Sequence, residues 1–167
     1  LLQHPRESDL IVGTHGRSIY VLDDASALSQ LTPQVVQSAY HLFDVRPAKP
    51  RLFLPNEGLW GDRMFRTPNP PMGARITYWI REYSREEVSF AIEDSRGNLV
   101  RKLTGPNQPG LNRVVWDLQP EKFDRLDNPD ADLGQTQFVP PGDYTVNMSH
   151  GRLKAKKTVT VLPAPGG

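Results

Sequence analysis

From residue 74 onward this chain alternates apolar and polar residues in short runs, and each run ends at a cluster of turn-forming residues. Ile76, Tyr78 and Ile80 fall on one face of an extended segment, as do Val88, Phe90 and Ile92, then Tyr144, Val146 and Met148. A period of two is the signature of a strand with one buried face, and it is incompatible with a helix over the same residues. The expected strands are Ala74–Arg81, Glu87–Glu93, Leu99–Leu103, Leu111–Leu118, Asp143–Met148 and Leu153–Leu162. Between them lie Asp94-Ser-Arg-Gly-Asn98, Gly105-Pro-Asn-Gln-Pro-Gly110, Pro140-Pro-Gly142 and Ser149-His-Gly151. These residue types tolerate left-handed backbone or preset a turn. A polar loop is expected at 119–135.

Roughly six or seven short strands in about ninety residues, with turns at this spacing, predict an all-β fold. The arrangement expected is an immunoglobulin/fibronectin III-like β-sandwich over residues 74–163, followed by a frayed tail at 164–167. Sixteen Pro and thirteen Gly suit a turn-rich β protein and argue against a helical bundle.

The first residues pose a different problem. Asp9-Leu-Ile-Val-Gly-Thr-His-Gly-Arg-Ser-Ile-Tyr-Val-Leu-Asp23 reads as a hairpin whose strands are apolar on both faces. Two strands alone bury no core. Both faces therefore require cover, and the chain reads as a fragment in which this hairpin is the last piece of a repeat domain. Asp23 and Asp24 end the second strand, and Asp24 is expected to cap a helical turn over Ala25–Leu31. Thr32-Pro33 marks a second helix start, running to about Ser38. Residues 39–73 form a Pro-rich connector. Within it Tyr40, Leu42 and Phe43 suit one more strand, and Trp60 suits an anchor.

Twenty Lys+Arg against nineteen Asp+Glu leave a net charge of +1, which argues against a dedicated nucleic-acid binder. The absence of Cys excludes disulfides, thiolate zinc sites and thiol nucleophiles. No apolar run approaches the roughly 20 residues of a membrane span, and no signal peptide is visible.

The candidate chemical groups are dispersed. His4, His15, His41 and His150 show no metal-ligand spacing. His15 and Arg17 lie together in the hairpin turn, where His15 suits a turn residue and Arg17 a partner for Asp23 or Asp24. Asp23 and Asp24 point to opposite faces of a strand end, so they cannot flank one bond as a glycosidic carboxylate pair. Asn128, Asp130 and Asp132 place oxygens at alternate positions, a faint calcium-loop pattern with its glycine late and no closing Glu. A solvated acidic loop is the preferred reading, with no cofactor expected. Trp116, in phase with Val114, reads as core, whereas Trp79 faces away from Ile76, Tyr78 and Ile80 and is a candidate glycan or partner contact. Arg152, Lys154, Lys156 and Lys157 make the last strand basic, which suits protection of a sheet edge.

Gly13-Thr-His-Gly-Arg-Ser-Ile-Tyr-Val-Leu-Asp-Asp24 resembles the closing repeat of bacterial sortilin-like or BNR-repeat proteins, the glycosyl-hydrolase-like β-propellers. His41-Leu-Phe43 and Pro70-Pro-Met-Gly-Ala74 are similar to the tail of those proteins. Pro109-Gly-Leu-Asn-Arg-Val-Val-Trp-Asp117 and Pro141-Gly-Asp-Tyr-Thr-Val146 also resemble immunoglobulin-like modules of flagellar hook-capping proteins and bacterial secretion tails. These motifs are turns and strands, not catalytic signatures. The resemblance implies a multidomain, exported protein, periplasmic or extracellular, whose propeller lies outside this chain. It implies a non-catalytic accessory module that caps or braces the propeller, with protein or glycan contacts as a further role. His15 and Arg17 become propeller-rim contacts in that setting. Two other readings stand beside it: a piece of a glycoside-hydrolase-like enzyme, and a carbohydrate-binding module.

Overall fold

The structure, a computed structural model, describes residues 1–4, 8–16, 19–50, 72–121 and 138–164. Trp60 and the rest of the connector at 51–71, Arg17 in the hairpin turn, and the acidic loop with Asn128, Asp130 and Asp132 lie outside the described residues.

The described chain is mostly β, in three antiparallel sheets. Strands β1 (Leu2–Gln3), β2 (Leu10–Gly13) and β3 (Ile19–Leu22) make an N-terminal sheet in that order. Two short helices follow, α1 (Ser26–Ser29) and α2 (Pro33–Gln37). The remaining strands are β4 (Tyr40–Leu42), β5 (Ala74–Ile80), β6 (Val88–Glu93), β7 (Leu99–Gly105), β8 (Gly110–Trp116), β9 (Gly142–His150) and β10 (Leu153–Val161). They form a four-stranded sheet, β10-β9-β6-β7, and a three-stranded sheet, β4-β5-β8.

Alternation in the sequence decides which face of each strand is buried. Ala74, Ile76, Tyr78 and Ile80 of β5 meet Val88, Phe90 and Ile92 of β6, Val146 and Met148 of β9, and Val159 and Val161 of β10 in one core. Trp116 closes that core, fully buried, its ring 5.3 Å from that of Tyr144 and its Nε1 donating to the Gln119 carbonyl. Tyr78 crosses the core to donate to the Pro106 carbonyl at 2.6 Å. Its hydroxyl fits because residue 105 is glycine: a Cβ there would lie 2.3 Å from the Tyr78 oxygen. Gly73 is required for a second reason. Its φ is +126°, and a Cβ would stand 1.9 Å from the Trp116 carbonyl oxygen.

The turn between β6 and β7 is built by Asp94. Its carboxylate accepts from the backbone N–H groups of Arg96 and Asn98 and from the Asn98 amide. The Asn98 amide is the larger cause holding the Asp94 pKa below the usual carboxylate value. Asn112, buried at the start of β8, ties the preceding turn through the Gln108 and Gly110 carbonyls.

The edges of the four-stranded sheet are covered. The segment at 40–48 runs along β10: the Tyr40 hydroxyl donates to the Lys154 carbonyl, and Ala48 exchanges bonds with Thr160 and Leu162. Lys157, which shares the inward face with Val159, pairs with Asp44 across this seam. Lys154 and Lys156 point outward into solvent. On β7, Glu121 plays the covering part. Its N–H donates to the Val100 carbonyl and its carboxylate accepts from the Lys102 N–H. Among the described residues no helix is long and apolar enough to cross a membrane.

Candidate docking surface

The hairpin expected from the sequence is present, with an addition. Leu2 and Gln3 pair with Ile11 and Leu10, so β2 is central and the sheet has three strands. Two residues are too few to show a period, and β1 is visible only through its pairing.

This sheet is joined to the two-sheet body at Asp23 and Asp24. Asp24 has a left-handed φ of +52° and is buried. Its N–H donates to the Asp9 carboxylate at 2.9 Å, and the next N–H, of Ala25, donates to the Ser8 carbonyl at 2.8 Å. The Asp24 carboxylate accepts from the Ser26 hydroxyl at 2.6 Å and from the Ser26 N–H, and stands 3.8 Å from Arg46. It therefore braces the first turn of α1, whose N-cap position is Ala25 and whose extent, Ser26–Ser29, is shorter than the sequence suggested. Thr32 caps α2, its hydroxyl accepting from Val35 N–H.

Arg113, on the outer face of β8, completes the junction. One terminal nitrogen donates to the Asp23 carbonyl and the other to the Asp24 carbonyl, each at 2.6 Å. Its Nε donates to the Thr77 hydroxyl at 3.1 Å. Burial pushes the Arg113 pKa down, with the Asp24 charge opposing. Arg17, the partner the sequence pattern offers for these aspartates, lies outside the described residues; among the described residues Arg113 donates to their backbone carbonyls and Arg46 stands near the Asp24 carboxylate. The only signal in the sequence was a charged residue in the middle of β8, between Asn112 and the apolar run Val114-Val-Trp116.

Beyond the junction β3 is open to solvent, whereas Leu10, Ile11 and Val12 of β2 are half-buried. All four residues of β3 are exposed: Ile19 75%, Tyr20 63%, Val21 55% and Leu22 45%. Ile19 and Val21 lie on one face, Tyr20 and Leu22 on the other, and each is backed by a β2 residue across the ladder. β3 carries no Lys, Pro or bulge, the devices that ordinarily blunt an edge.

Where β3 ends, a cleft of about 250 Å³ opens between it, α1 and β8. Leu22, Ala25, Ala27, Leu28 and Leu111 line it, with Asp24 and Arg113 completing its wall. Trp79 lies beside it, half-buried on the outer face of β5, opposite Leu111 on one side and His41 on the other.

The other candidates do not converge. His15 is exposed in the β2–β3 turn. His41 packs edge-on against Phe43, and burial, then the Lys157 charge, lower its pKa against the pull of Asp44. His150 is buried at the end of β9, neither ring nitrogen having a partner among the described residues. No group of three His, Asp or Glu able to hold a metal occurs among the described residues. Comparison with protein-family models, with curated proteins and with solved structures returned no match.

Proposed function

We propose that this chain is a non-catalytic accessory module that caps or braces a β-propeller of the sortilin or BNR-repeat type in an exported protein. In this reading the N-terminal sheet is the docking element and the two-sheet body is an immunoglobulin/fibronectin III-like sandwich. The body's strand order supports the second point: seven strands divide as β10-β9-β6-β7 against β4-β5-β8, with the chain changing sheets between β7 and β8. So does Tyr144. It stands near the start of β9, and its hydroxyl reaches back to the Pro140 carbonyl at 2.8 Å, the geometry of the tyrosine corner of such domains.

The observation that carries the functional reading is β3. A strand apolar on both faces, with all four side chains exposed, calls for a strand along its edge and cover above and below. A propeller supplies all three, because each blade is stacked between two others. A lone second copy does not. Pairing β3 with β3 would lengthen the sheet and leave both faces wet.

The experiment is deletion of residues 39–164 from the longer polypeptide this reading requires. The propeller is expected to melt at lower temperature without them. An unchanged melt overturns the bracing role.

A further inference from the structure

We infer that a cavity beside β7 is a binding site for a small organic cation, an ammonium group carried on an apolar body. Its lining shares no residue with β3 or with the cleft beside β3, so the site does not depend on the docking role.

The cavity opens at the end of the body where the Tyr144 hydroxyl reaches the Pro140 carbonyl, and it measures about 700 Å³. That lies within the roughly 300–1,000 Å³ of pockets that enclose a whole small ligand. Leu99, Val100, Phe138, Val139, Pro140 and Tyr144 supply an apolar wall. Tyr144 and Val139 are buried in the core, and Val100 and Phe138 pack half-buried against it. The wall is therefore formed before any ligand arrives.

Two carboxylates set the charge. Asp94 accepts from the N–H groups of Arg96 and Asn98 and from the Asn98 amide. These bonds, the Asn98 amide first, hold its pKa below the usual carboxylate value, so it is ionised at neutral pH. Glu121 is fixed at two points: its N–H donates to the Val100 carbonyl at 2.8 Å, and its carboxylate accepts from the Lys102 N–H at 2.6 Å. A carboxylate has about four acceptor sites, so both keep room for a further donor. Against them stands one cation in the lining, Lys102, exposed and paired with Ala91 on the outward side of the sheet. The lining is thus net negative. The Tyr144 hydroxyl is engaged by the Pro140 carbonyl and the Asn98 amide by Asp94, which leaves Lys102 as the main donor for an anion. Ammonium donors on an apolar body are the complement of this lining, and acceptors already held in place need no ordering when such a ligand binds.

Phenethylammonium serves as the probe, added to the 167-residue chain and followed by methyl resonances of Leu99, Val100 and Val139. Saturable shifts are expected, with Kd about 1–10 mM for so small a ligand. Phenethyl alcohol, with the same apolar body and no charge, should bind at least threefold more weakly, and the anion hydrocinnamate at least tenfold more weakly. Glu121→Gln keeps an acceptor for the Lys102 N–H and removes the charge. It is expected to weaken phenethylammonium binding at least threefold and to leave binding of the alcohol unchanged, which separates lost charge from a disturbed fold. Leu99→Ala, at an exposed position, should weaken all three probes. Absence of saturable shifts, equal binding of the three probes, or wild-type affinity of Glu121→Gln for phenethylammonium each overturns the proposal.

Discussion

Arg113 holds the main-chain carbonyl of Asp24 at 2.6 Å, although the two residues are 89 positions apart in sequence. A second nitrogen of the same guanidinium holds the Asp23 carbonyl at 2.6 Å. The N-terminal sheet is thus fastened to the body through backbone oxygens at the residue pair where β3 ends. The planar fork of arginine suits this geometry, and a lysine cannot reproduce it. Arg113→Met keeps the alkyl stem and removes the three donors. Hydrogen bonds from charged donors contribute about 1.5–3 kcal/mol each, and they are not additive, so a loss of roughly 2–4 kcal/mol is expected at the junction. Hydrogen exchange at Leu10–Gly13 should accelerate while β9 stays protected. Equal acceleration in both would mean that the junction is not a separate unit.

Tyr144 offers a test of the body. Removing its hydroxyl leaves the Pro140 carbonyl without that donor, and Tyr144→Phe is expected to cost about 1 kcal/mol in urea unfolding with an unchanged slope. No change in midpoint would deny the corner a role in stability.

Alkaline pH acts on the same core. Burial raises the Tyr78 pKa strongly, and burial followed by the Asp94 charge raises that of Tyr144. Below pH 10 both phenols are protonated whether the chain is folded or unfolded, so they add no pH dependence. Above pH 10 the unfolded chain releases these protons and the folded one retains them. Stability should therefore fall as pH rises past 10, by up to about 1.4 kcal/mol per pH unit for each phenol. Tyr78→Phe should remove its share of that slope; an identical slope in the variant would contradict the assignment.

Gly73→Ala asks whether the entry to β5 tolerates a side chain. Its φ of +126° and the Trp116 carbonyl 1.9 Å from an added Cβ leave no relaxation short of moving backbone. A loss of roughly 3 kcal/mol or more is expected from thermal or urea melts. Gly97→Ala, also at positive φ but with open space around it, should cost about 1–2 kcal/mol. Equal losses would show that strain, not contact, dominates at residue 73.

How much of this was legible follows from where the information resides. Period-two alternation placed β5, β6, β8, β9 and β10 within a few residues, because each has one face in a single core; β7, with no fully buried residue, was marked by the turns that flank it. The Asp94–Asn98 turn was equally plain, since its bonds are local. The pairing of β1 was not, since two residues carry no period. Nor was the cover along β10. It needs Tyr40, Asp44 and Ala48 to meet a strand more than a hundred residues later, and no local preference specifies that meeting. For the candidate surface, the two-faced apolar character of Ile19–Leu22 was visible at once. The cleft was not, because Leu22, Leu28 and Leu111 come together only when Arg113 closes the junction.

The central claim is that β3 is covered in the longer polypeptide that the proposed function requires. Amide hydrogen exchange at Ile19–Leu22 measures this directly, comparing the 167-residue chain with the longer polypeptide. In the isolated chain the outward N–H groups of this open edge should exchange fast. In the longer polypeptide they should be slowed by about a thousandfold or more, the mark of a paired and buried strand. Equal, fast exchange in both would contradict the docking role.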